Sequence, residues 1–194
     1  MNKEQIIKFY NESCENSEVG WQASRWFSEE SQYERFVVAG SFLFPNCSVL
    51  DVGCGQGDFY EFIKCRYKNI KYKGIDFSKS MILKAKEKYK KDFENKDLLE
   101  VNEKFDCVFA LGAFNLQVEN QREYIKNHLE KCFECCNNRA VIFLKGNQPI
   151  EEYEQMCYYS PVEILELSLS ITPNTLISTS FLPNEITVCL YKTQ

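Results

Sequence analysis

The sequence predicts an α/β domain built on a mostly parallel β-sheet that finishes in an antiparallel hairpin. Strand-like and helix-like patterns alternate through about 100 central residues, which favours right-handed βαβ units. Close to the end of the chain, two strand-like runs follow each other directly. The Pro183-Asn184 pair between them is typical of a hairpin connection.

The central strands are predicted from short apolar runs. Residues 49–52 form a run that stops at glycines, and residues 70–76 alternate and end in an acid. Residues 95–100 are a candidate for a third strand. Residues 105–111 and 140–145 are continuously apolar, as expected of strands buried on both faces.

Helical spacing of apolar side chains fills the intervals between these strands. It predicts helices over residues 58–67 and 120–136. A third helix follows Ser78, whose hydroxyl is suited to cap it. One face of that helix presents Met81, Ile82, Ala85 and Tyr89.

The segment before the first strand is predicted to be helical over residues 3–13 and 28–44. The second helix has a capping signal at Ser28 or Ser31. This segment is rich in aromatic side chains, which either form a lid over a bound ligand or pack plainly onto the sheet. They are Phe9, Tyr10, Trp21, Trp26 and Phe27.

A last helix is predicted ahead of the C-terminal hairpin. Ser160 is suited to the N-cap, Pro161 to the first helical position and Glu163 to the third. The hairpin strands are then residues 175–182 and 185–191.

Length and charge limit the function classes. A chain of 194 residues suits one domain, and its net charge of −5 weighs against binding to nucleic acid by bulk electrostatics. The basic cluster at residues 84–91 is interrupted by Glu87 and followed by Asp92, as on a solvated helix face. The chain has no apolar run of membrane-spanning length and no signal peptide, so we expect a cytoplasmic protein with no membrane partner.

The ten cysteines are interpreted as core residues rather than a disulfide framework, because most lie singly in apolar runs. The exception is His128 with Cys132, Cys135 and Cys136, at helical spacing. This spacing suits a zinc site, but Leu129, Cys132, Phe133 and Cys136 also form an apolar stripe that is typical of a core-facing helix. The stripe is favoured because one helix rarely supplies all four zinc ligands. We therefore expect no metal. His128 is the only histidine, and we place it on a helix remote from the strand ends.

The first strand runs into a glycine-rich turn. Glycines at this position let a nucleotide-like ligand approach the backbone, and Asp76 at the end of the second strand is suited to bind ribose hydroxyls. A dinucleotide would meet repulsion from Asp58, at the start of the next helix. S-adenosylmethionine (SAM) carries no phosphate and is cationic, so it suits the acidic turn better. The turn reads Asp51-Val52-Gly53-Cys54-Gly55-Gln56-Gly57-Asp58.

Over roughly residues 45–192 the sequence resembles the class I SAM-dependent methyltransferases. The motifs that carry the resemblance are VLDVGCGQGDF at residues 49–59, GIDFSKSMI at 74–82, FDCVFALGAFN at 105–115 and LPNEITVCLYK at 182–192. Within this class, the GAFN loop at residues 112–115 and the segments at 19–21 and 31–36 are similar to small stand-alone bacterial members. The resemblance implies a Rossmann-like, doubly wound seven-stranded sheet, with residues 1–45 as a helical cap and 46–194 as the SAM-binding core.

The resemblance also implies residue roles. Asp51 and Cys54 lie near the methionine part of SAM, around which Gly53, Gly55 and Gly57 wrap the main chain. Asp76 is implied to bind the ribose. The implied adenine contacts are Phe77, Met81, Asp97 and Leu98. Ala110 and Leu111 are implied to lie near the methionine end of SAM. Arg35 or Gln32 is a hypothetical partner of the SAM carboxylate.

The methyl acceptor is predicted to be a small molecule, because the core leaves no appended recognition domain. Residues 112–115 read Gly-Ala-Phe-Asn and lack the [DN]PP[YFW] motif of methyltransferases that act on planar nitrogens. No general base is evident; Asn115 and Tyr159 are candidates for substrate contact, together with Lys145. The alternatives are a catalytically silent SAM-binding protein and a nucleotide-cofactor oxidoreductase. The oligomeric state is not predicted.

Overall fold

One seven-stranded sheet organises the chain, in a computed structural model that describes residues 1–148 and 152–193. Its strands are β1 (Ser48–Val52), β2 (Lys71–Asp76), β3 (Asp92–Asn95), β4 (Phe105–Leu111), β5 (Cys136–Lys145), β6 (Thr175–Ser178) and β7 (Glu185–Tyr191). They lie in the order β3-β2-β1-β4-β5-β7-β6. Strands β1 to β5 are parallel, whereas β7 is antiparallel to β5 and to β6. The predicted sheet and its C-terminal hairpin are confirmed.

Seven α-helices accompany the sheet in the described residues. They are α1 (Lys3–Glu15), α2 (Gly20–Ala23), α3 (Glu29–Gly40), α4 (Asp58–Lys64), α5 (Lys79–Lys88), α6 (Gln121–Cys135) and α7 (Pro161–Ile171). Residues from α6 and α7 share one hydrophobic core with the sheet, and residues from α3, α4 and α5 share a second. The sheet is therefore covered on both faces, as parallel sheets require.

Strand β4 shows why its sequence is continuously apolar. Val108 and Ala110 belong to the core on the α6 side, whereas Cys107 and Phe109 belong to the core on the α4 side. All four are fully buried. Because successive side chains of a strand point to opposite faces, a strand buried on both faces has no polar positions in its centre.

The third strand was predicted wrongly. Residues 92–95 pair with β2, whereas residues 98–100 form a turn of 3-10 helix. Asp97 interrupts the extended chain, because its carboxylate accepts a hydrogen bond from the Leu99 N–H at 2.9 Å. This local bond competes with strand geometry, as Asp side chains commonly do.

Other element ends also differ from prediction. Helix α2 was not predicted, α3 ends at Gly40, and β5 begins directly after α6 at Cys136. Ser28 caps α3 as expected, through a bond from the Ser31 N–H at 3.1 Å. Ser160 precedes α7, but its side chain makes no capping hydrogen bond.

The ten cysteines are all free thiols. Eight are buried, including Cys132, Cys135 and Cys136, which join the core on the α6 side. The core interpretation of this stripe is confirmed. In residues 1–148 and 152–193, no group of three or more His, Cys, Asp or Glu side chains is placed to hold a metal ion. No helix in that same part of the chain is long and apolar enough to cross a membrane.

Truncation of Leu129 on α6 is predicted to destabilise the fold. Leu129 is fully buried, so Leu129→Ala should lower the free energy of unfolding by about 2–5 kcal/mol through lost transfer energy and a cavity. Urea denaturation at pH 7 measures the change. The matched control is Leu83→Ala on α5, where the side chain is 52% exposed and the expected change is within about 0.5 kcal/mol. Equal losses in the two variants would contradict the assigned core.

Candidate active site

A pocket opens at the edge of the sheet where β1, β2, β4 and β5 end. This edge contains the point where the strand order reverses, between β1 and β4, which is where open α/β sheets bind ligands. The floor of the pocket comes from the segments that follow these strands, and its roof comes from the N-terminal segment. Lining side chains from the roof are Tyr10, Ser24, Arg25, Trp26, Phe27, Ser31, Gln32, Arg35 and Phe36.

The glycine turn after β1 is tied to the end of β2. The Gly53 and Cys54 N–H groups both donate to the Ile75 carbonyl, at 2.9 and 3.0 Å. Gly53, Gly55 and Gly57 all have positive φ, which side chains other than glycine seldom adopt. Gly53, Cys54 and Gly55 line the pocket.

Gly57 has a different role from the other two glycines of the turn. It is absent from the pocket wall, and a Cβ atom there would lie 2.8 Å from Phe93 and 3.0 Å from Tyr89. Packing against this aromatic pair therefore requires glycine. Gly53 and Gly55 leave the main chain open to a ligand.

Asp76 is fixed at the end of β2 by two backbone donors. Its carboxylate accepts the Gly55 N–H at 3.0 Å on one oxygen and the Ser78 N–H at 2.8 Å on the other. Each carboxylate oxygen retains capacity for a further hydrogen bond. Burial raises the pKa of the Asp76 carboxyl to about 6, although both backbone donors oppose the shift. The side chain lines the pocket and can accept two hydroxyl groups.

Two further carboxylates line the pocket near the turn. Asp51 is 3% exposed and accepts a hydrogen bond from the Tyr72 hydroxyl at 2.6 Å. Burial raises the pKa of Asp51 to about 7, and the charges of Asp76 and Asp58 add to the rise. Burial also raises the pKa of Asp58, despite Lys88 and a bond from Gln32 at 3.3 Å. The pocket is thus a site of concentrated negative charge with little solvent to stabilise it.

The part of the pocket beyond Asp76 is largely apolar. Phe77, Met81 and Leu98 line it, and Asp97 lies at its rim. Asp97 is already paired with Lys3 of α1, whose Nζ lies 2.6 Å away. This contact and the Leu99 N–H hold the pKa of Asp97 below its ordinary value, against the opposing effect of burial.

The residues that follow β4 have mixed placements. Leu111 lines the pocket, whereas Ala110 is fully buried behind the wall. Asn115 lines the pocket, and its Oδ1 accepts the Lys145 N–H at 2.9 Å. Tyr159 lies outside the wall, and its hydroxyl donates to the Phe114 carbonyl at 2.6 Å. Tyr159 therefore supports the loop that carries Asn115.

The position predicted for His128 was wrong. His128 lines the pocket, because α6 packs against the 3-10 helix that follows Asp97. Its Nδ1 lies 2.7 Å from the Tyr124 carbonyl, and its ring packs on Tyr124 and Phe114 at centroid distances of 4.0 and 4.9 Å. Burial lowers the pKa of His128. No local pattern in the sequence indicates this placement, because it depends on how α6 packs against distant elements.

The N-terminal segment forms the roof through specific contacts with the floor. Lys3 bonds to Asp97, Asn11 accepts the Ser78 hydroxyl at 2.7 Å, and Lys84 donates to the Cys14 carbonyl at 2.6 Å. Of the five aromatic residues predicted in this segment, Tyr10, Trp26 and Phe27 line the pocket, and Phe9 and Trp21 do not. Ser24 and Arg25 are pocket residues that sequence reasoning did not associate with the ligand.

Arg35 and Gln32 both reach the pocket but are engaged with protein groups. Gln32 donates to Asp58, as above. Arg35 pairs with Glu185, bonds to Ser31 and lies 4.8 Å from the centroid of the Trp26 ring. The guanidinium thereby holds Trp26 over the pocket.

Comparison with known proteins identifies a related domain family. Residues 49–136 match the sequence profile of a methyltransferase domain. No match was found among curated proteins.

Solved structures show the same fold at low sequence identity. Magnesium protoporphyrin IX methyltransferase from Synechocystis PCC 6803, with bound SAM, is 18% identical over 83% of this chain and 77% of that chain, with a TM-score of 0.59. The plantazolicin methyltransferase BpumL, in complex with a triazolic desmethylPZN analog and SAH, is 18% identical over 98% and 97%, with a TM-score of 0.70. A putative methyltransferase bound to the Haloferax volcanii Trm112 activator is 11% identical over 95% and 98%, with a TM-score of 0.73.

The raised pKa of Asp51 predicts a pH dependence of stability. Its native pKa of about 7 lies above the ordinary aspartate pKa of 3.8, so the native state binds more protons than the unfolded state between these pH values. Stability is therefore lost as pH rises through this window. Asp51→Asn removes the titrating charge and keeps an acceptor for Tyr72. The free energy of unfolding of the variant, measured relative to that of wild type, should therefore rise by about 2 kcal/mol between pH 5 and pH 8.

Urea denaturation of both proteins at each pH measures this difference. Asp92→Asn, at an exposed position on β3, is the control and should show no pH-dependent gain. A gain by Asp51→Asn that is the same at pH 5 and pH 8 would contradict the buried-charge explanation.

Proposed function

We propose, on the premise that this chain is a class I SAM-dependent methyltransferase, that it transfers the methyl group of SAM to a small-molecule acceptor held under the N-terminal roof. The observation that carries the proposal is the Asp76 carboxylate. It is fixed by the Gly55 and Ser78 N–H groups beside the glycine turn, and it opens into the pocket.

The residues present fit SAM in shape and charge. The concentrated carboxylates of Asp51, Asp58 and Asp76 suit a ligand with cationic groups and oppose one with a pyrophosphate. The floor at Gly53 and Gly55 has no Cβ atoms, and the wall at Phe77, Met81 and Leu98 is apolar. We propose that Asp76 accepts the ribose hydroxyls, that the glycine turn contacts the methionine part, and that the apolar wall flanks adenine.

Other proposed cofactor contacts differ in their support. Leu111 and Cys54 line the pocket, and both are proposed to contact the cofactor directly. Gly57 and Ala110 lie behind the wall and act through the shape of the main chain. Asp97 can bind the adenine amino group only alongside, or in exchange for, its bond to Lys3.

The chain promotes the reaction chiefly by positioning. SAM, when bound, supplies a methyl group on a sulfonium, which is an excellent leaving group. Holding an acceptor atom in line with that methyl group is then the main task of the protein. The loop after β4, from Gly112 to Asn115, is the floor at the place where the acceptor would lie, and Trp26 covers it: a Cβ atom at Gly112 would lie 3.0 Å from the Trp26 ring.

The roof supports a small acceptor. Aromatic side chains of the N-terminal segment cover the pocket, and α1 is fastened to the floor by Lys3 and Asn11. A long polymer would have to displace these contacts, whereas a small molecule fits beneath them. Among the structural relatives, one is named for magnesium protoporphyrin IX, a small molecule, which supports this proposal; BpumL is named for plantazolicin.

The proposed cofactor role of Asp76 predicts a selective loss of binding. Calorimetric titration should show that wild-type protein binds SAM and does not bind NAD. Asp76→Ala should weaken SAM binding by about 1–3 kcal/mol, or roughly 5- to 150-fold in Kd, because ribose hydrogen bonds to a carboxylate are lost. Asp92→Ala is the control and should bind as wild type does.

Circular dichroism should confirm that Asp76→Ala is folded before its affinity is interpreted. Binding of NAD without binding of SAM would support the oxidoreductase alternative and overturn the proposal. Unchanged SAM affinity in the Asp76→Ala variant would overturn the ribose assignment alone.

Methyl transfer itself is predicted to label a small molecule. Protein incubated with radiolabelled SAM and a cell extract should transfer label to the fraction that passes a filter of about 3 kDa cut-off. The Asp76→Ala variant is the matched negative control. Label only in protein or nucleic acid would contradict the small-acceptor proposal, and SAM binding without any labelled product would indicate the catalytically silent alternative.

A further inference from the structure

Lys145 presents an unused ammonium group to the pocket. It is the last residue of β5, it is half-buried, and it lines the pocket. Within residues 1–148 and 152–193 its Nζ has no hydrogen bond and no ion pair. Burial lowers the pKa of Lys145, and Arg35 adds to this effect while Glu185 opposes it. A desolvated cation without a partner is costly unless an anion joins it.

Asn115 adds an unused donor next to Lys145. Its Oδ1 accepts the Lys145 backbone N–H, which fixes the orientation of the amide, because a backbone N–H can only donate. The Nδ2 amino group is then directed away from that bond and has no hydrogen-bond partner in the described part of the chain. Asn115 is 6% exposed and lines the pocket. Lys145 and Asn115 therefore both offer donors to the same space.

The charges around Lys145 do not balance. Glu185 is its direct neighbour across the β5–β7 ladder and is 5% exposed. Glu185 is already paired with Arg35, so the group comprises two cations and one carboxylate. Rearrangement of the bonds within this group would leave the same net charge of about +1. One monoanionic group from a ligand would balance it.

The position along the sheet separates this site from the proposed cofactor site. Asp76 ends β2 and Lys145 ends β5, so three strand spacings, or roughly 14 Å, separate the two strands. The region over Lys145 adjoins the loop of Gly112 to Asn115, on the far side of β4 from the ribose. Trp26 and Phe36 supply apolar surface there.

We infer that the methyl acceptor is a small molecule with a carboxylate group and a flat apolar body. Lys145 Nζ and Asn115 Nδ2 bind the carboxylate, and Trp26 covers the body of the molecule. Arg35 acts as a positioning residue, because it holds Trp26 in place. It also supplies positive charge, but its guanidinium has no free pair of N–H groups for bidentate binding of a carboxylate. This inference rests on the proposed methyltransferase function and adds the chemical class of its substrate.

The test uses benzoate and its neutral isostere benzamide as probes, titrated by calorimetry into the full chain saturated with S-adenosylhomocysteine (SAH). Wild type should bind benzoate at least about tenfold more tightly than benzamide, since a charge-assisted hydrogen bond is gained. Lys145→Met should reduce this ratio to about one, and Lys145→Arg should retain most of it. Exposed Lys68→Met is the matched control and should behave as wild type.

A second variant tests the amide. Asn115→Asp is isosteric and keeps an acceptor for the Lys145 N–H, but it replaces the Nδ2 donor by an oxygen. It should weaken benzoate binding at least tenfold and affect benzamide less. The affinity for SAH should be unchanged in both Lys145→Met and Lys145→Arg.

Three results would overturn the inference. The first is that wild type shows no preference for benzoate, and the second is that the preference survives Lys145→Met. The third is that Lys145→Met loses affinity for SAH while it keeps its affinity for benzoate. The last would assign Lys145 to the carboxylate of the cofactor. Failure of wild type to bind SAH would overturn the proposed function and this inference together. SAH binding without a benzoate preference would overturn the inference alone.

Discussion

The hydrogen bonds that tie the glycine turn to the end of β2 are the constraint on which the site depends. The Ile75 carbonyl receives two N–H groups from the turn, and the Asp76 carboxylate receives a third from Gly55. These bonds require positive φ at Gly53 and Gly55, and they leave the pocket floor without side chains. The same contacts fix Asp76, so the glycine turn and the proposed ribose-binding acid are one structural unit.

The pairing of the glycine turn with the end of β2 also concentrates negative charge in the pocket. Asp51, Asp58 and Asp76 are held together by the ends of β1 and β2, and burial raises the pKa of each. The apoprotein therefore bears an electrostatic cost that a cationic ligand relieves. Positive charge gathers at the other end, where Lys145 and Arg35 face the proposed acceptor. One pocket thus has two electrostatic ends, suited to two different molecules.

Much of the fold could be predicted because its signals are local or periodic. The apolar run of β4 was identified with its correct bounds, since burial on both faces leaves a continuous pattern. The glycine turn and Asp76 were identified from the strand before the turn, the helix after it and the spacing between the turn and the acid. The third strand was misplaced because a single Asp97 side chain bond outweighed the strand pattern. The short helix α2 was missed because four residues carry too little periodicity.

The sequence by itself determined the order of strands and helices, the cofactor class that suits the turn and the acid that ends β2. Only the tertiary structure decided which side chains share the pocket. In the folded protein His128 lies in the pocket wall, and Tyr159 and Gly57 lie behind it. Lys145 and Arg35, which are 110 residues apart in the sequence, lie close together. The physical reason is that local patterns report on the element that contains them, whereas the crossing of helices over the sheet depends on packing between distant elements.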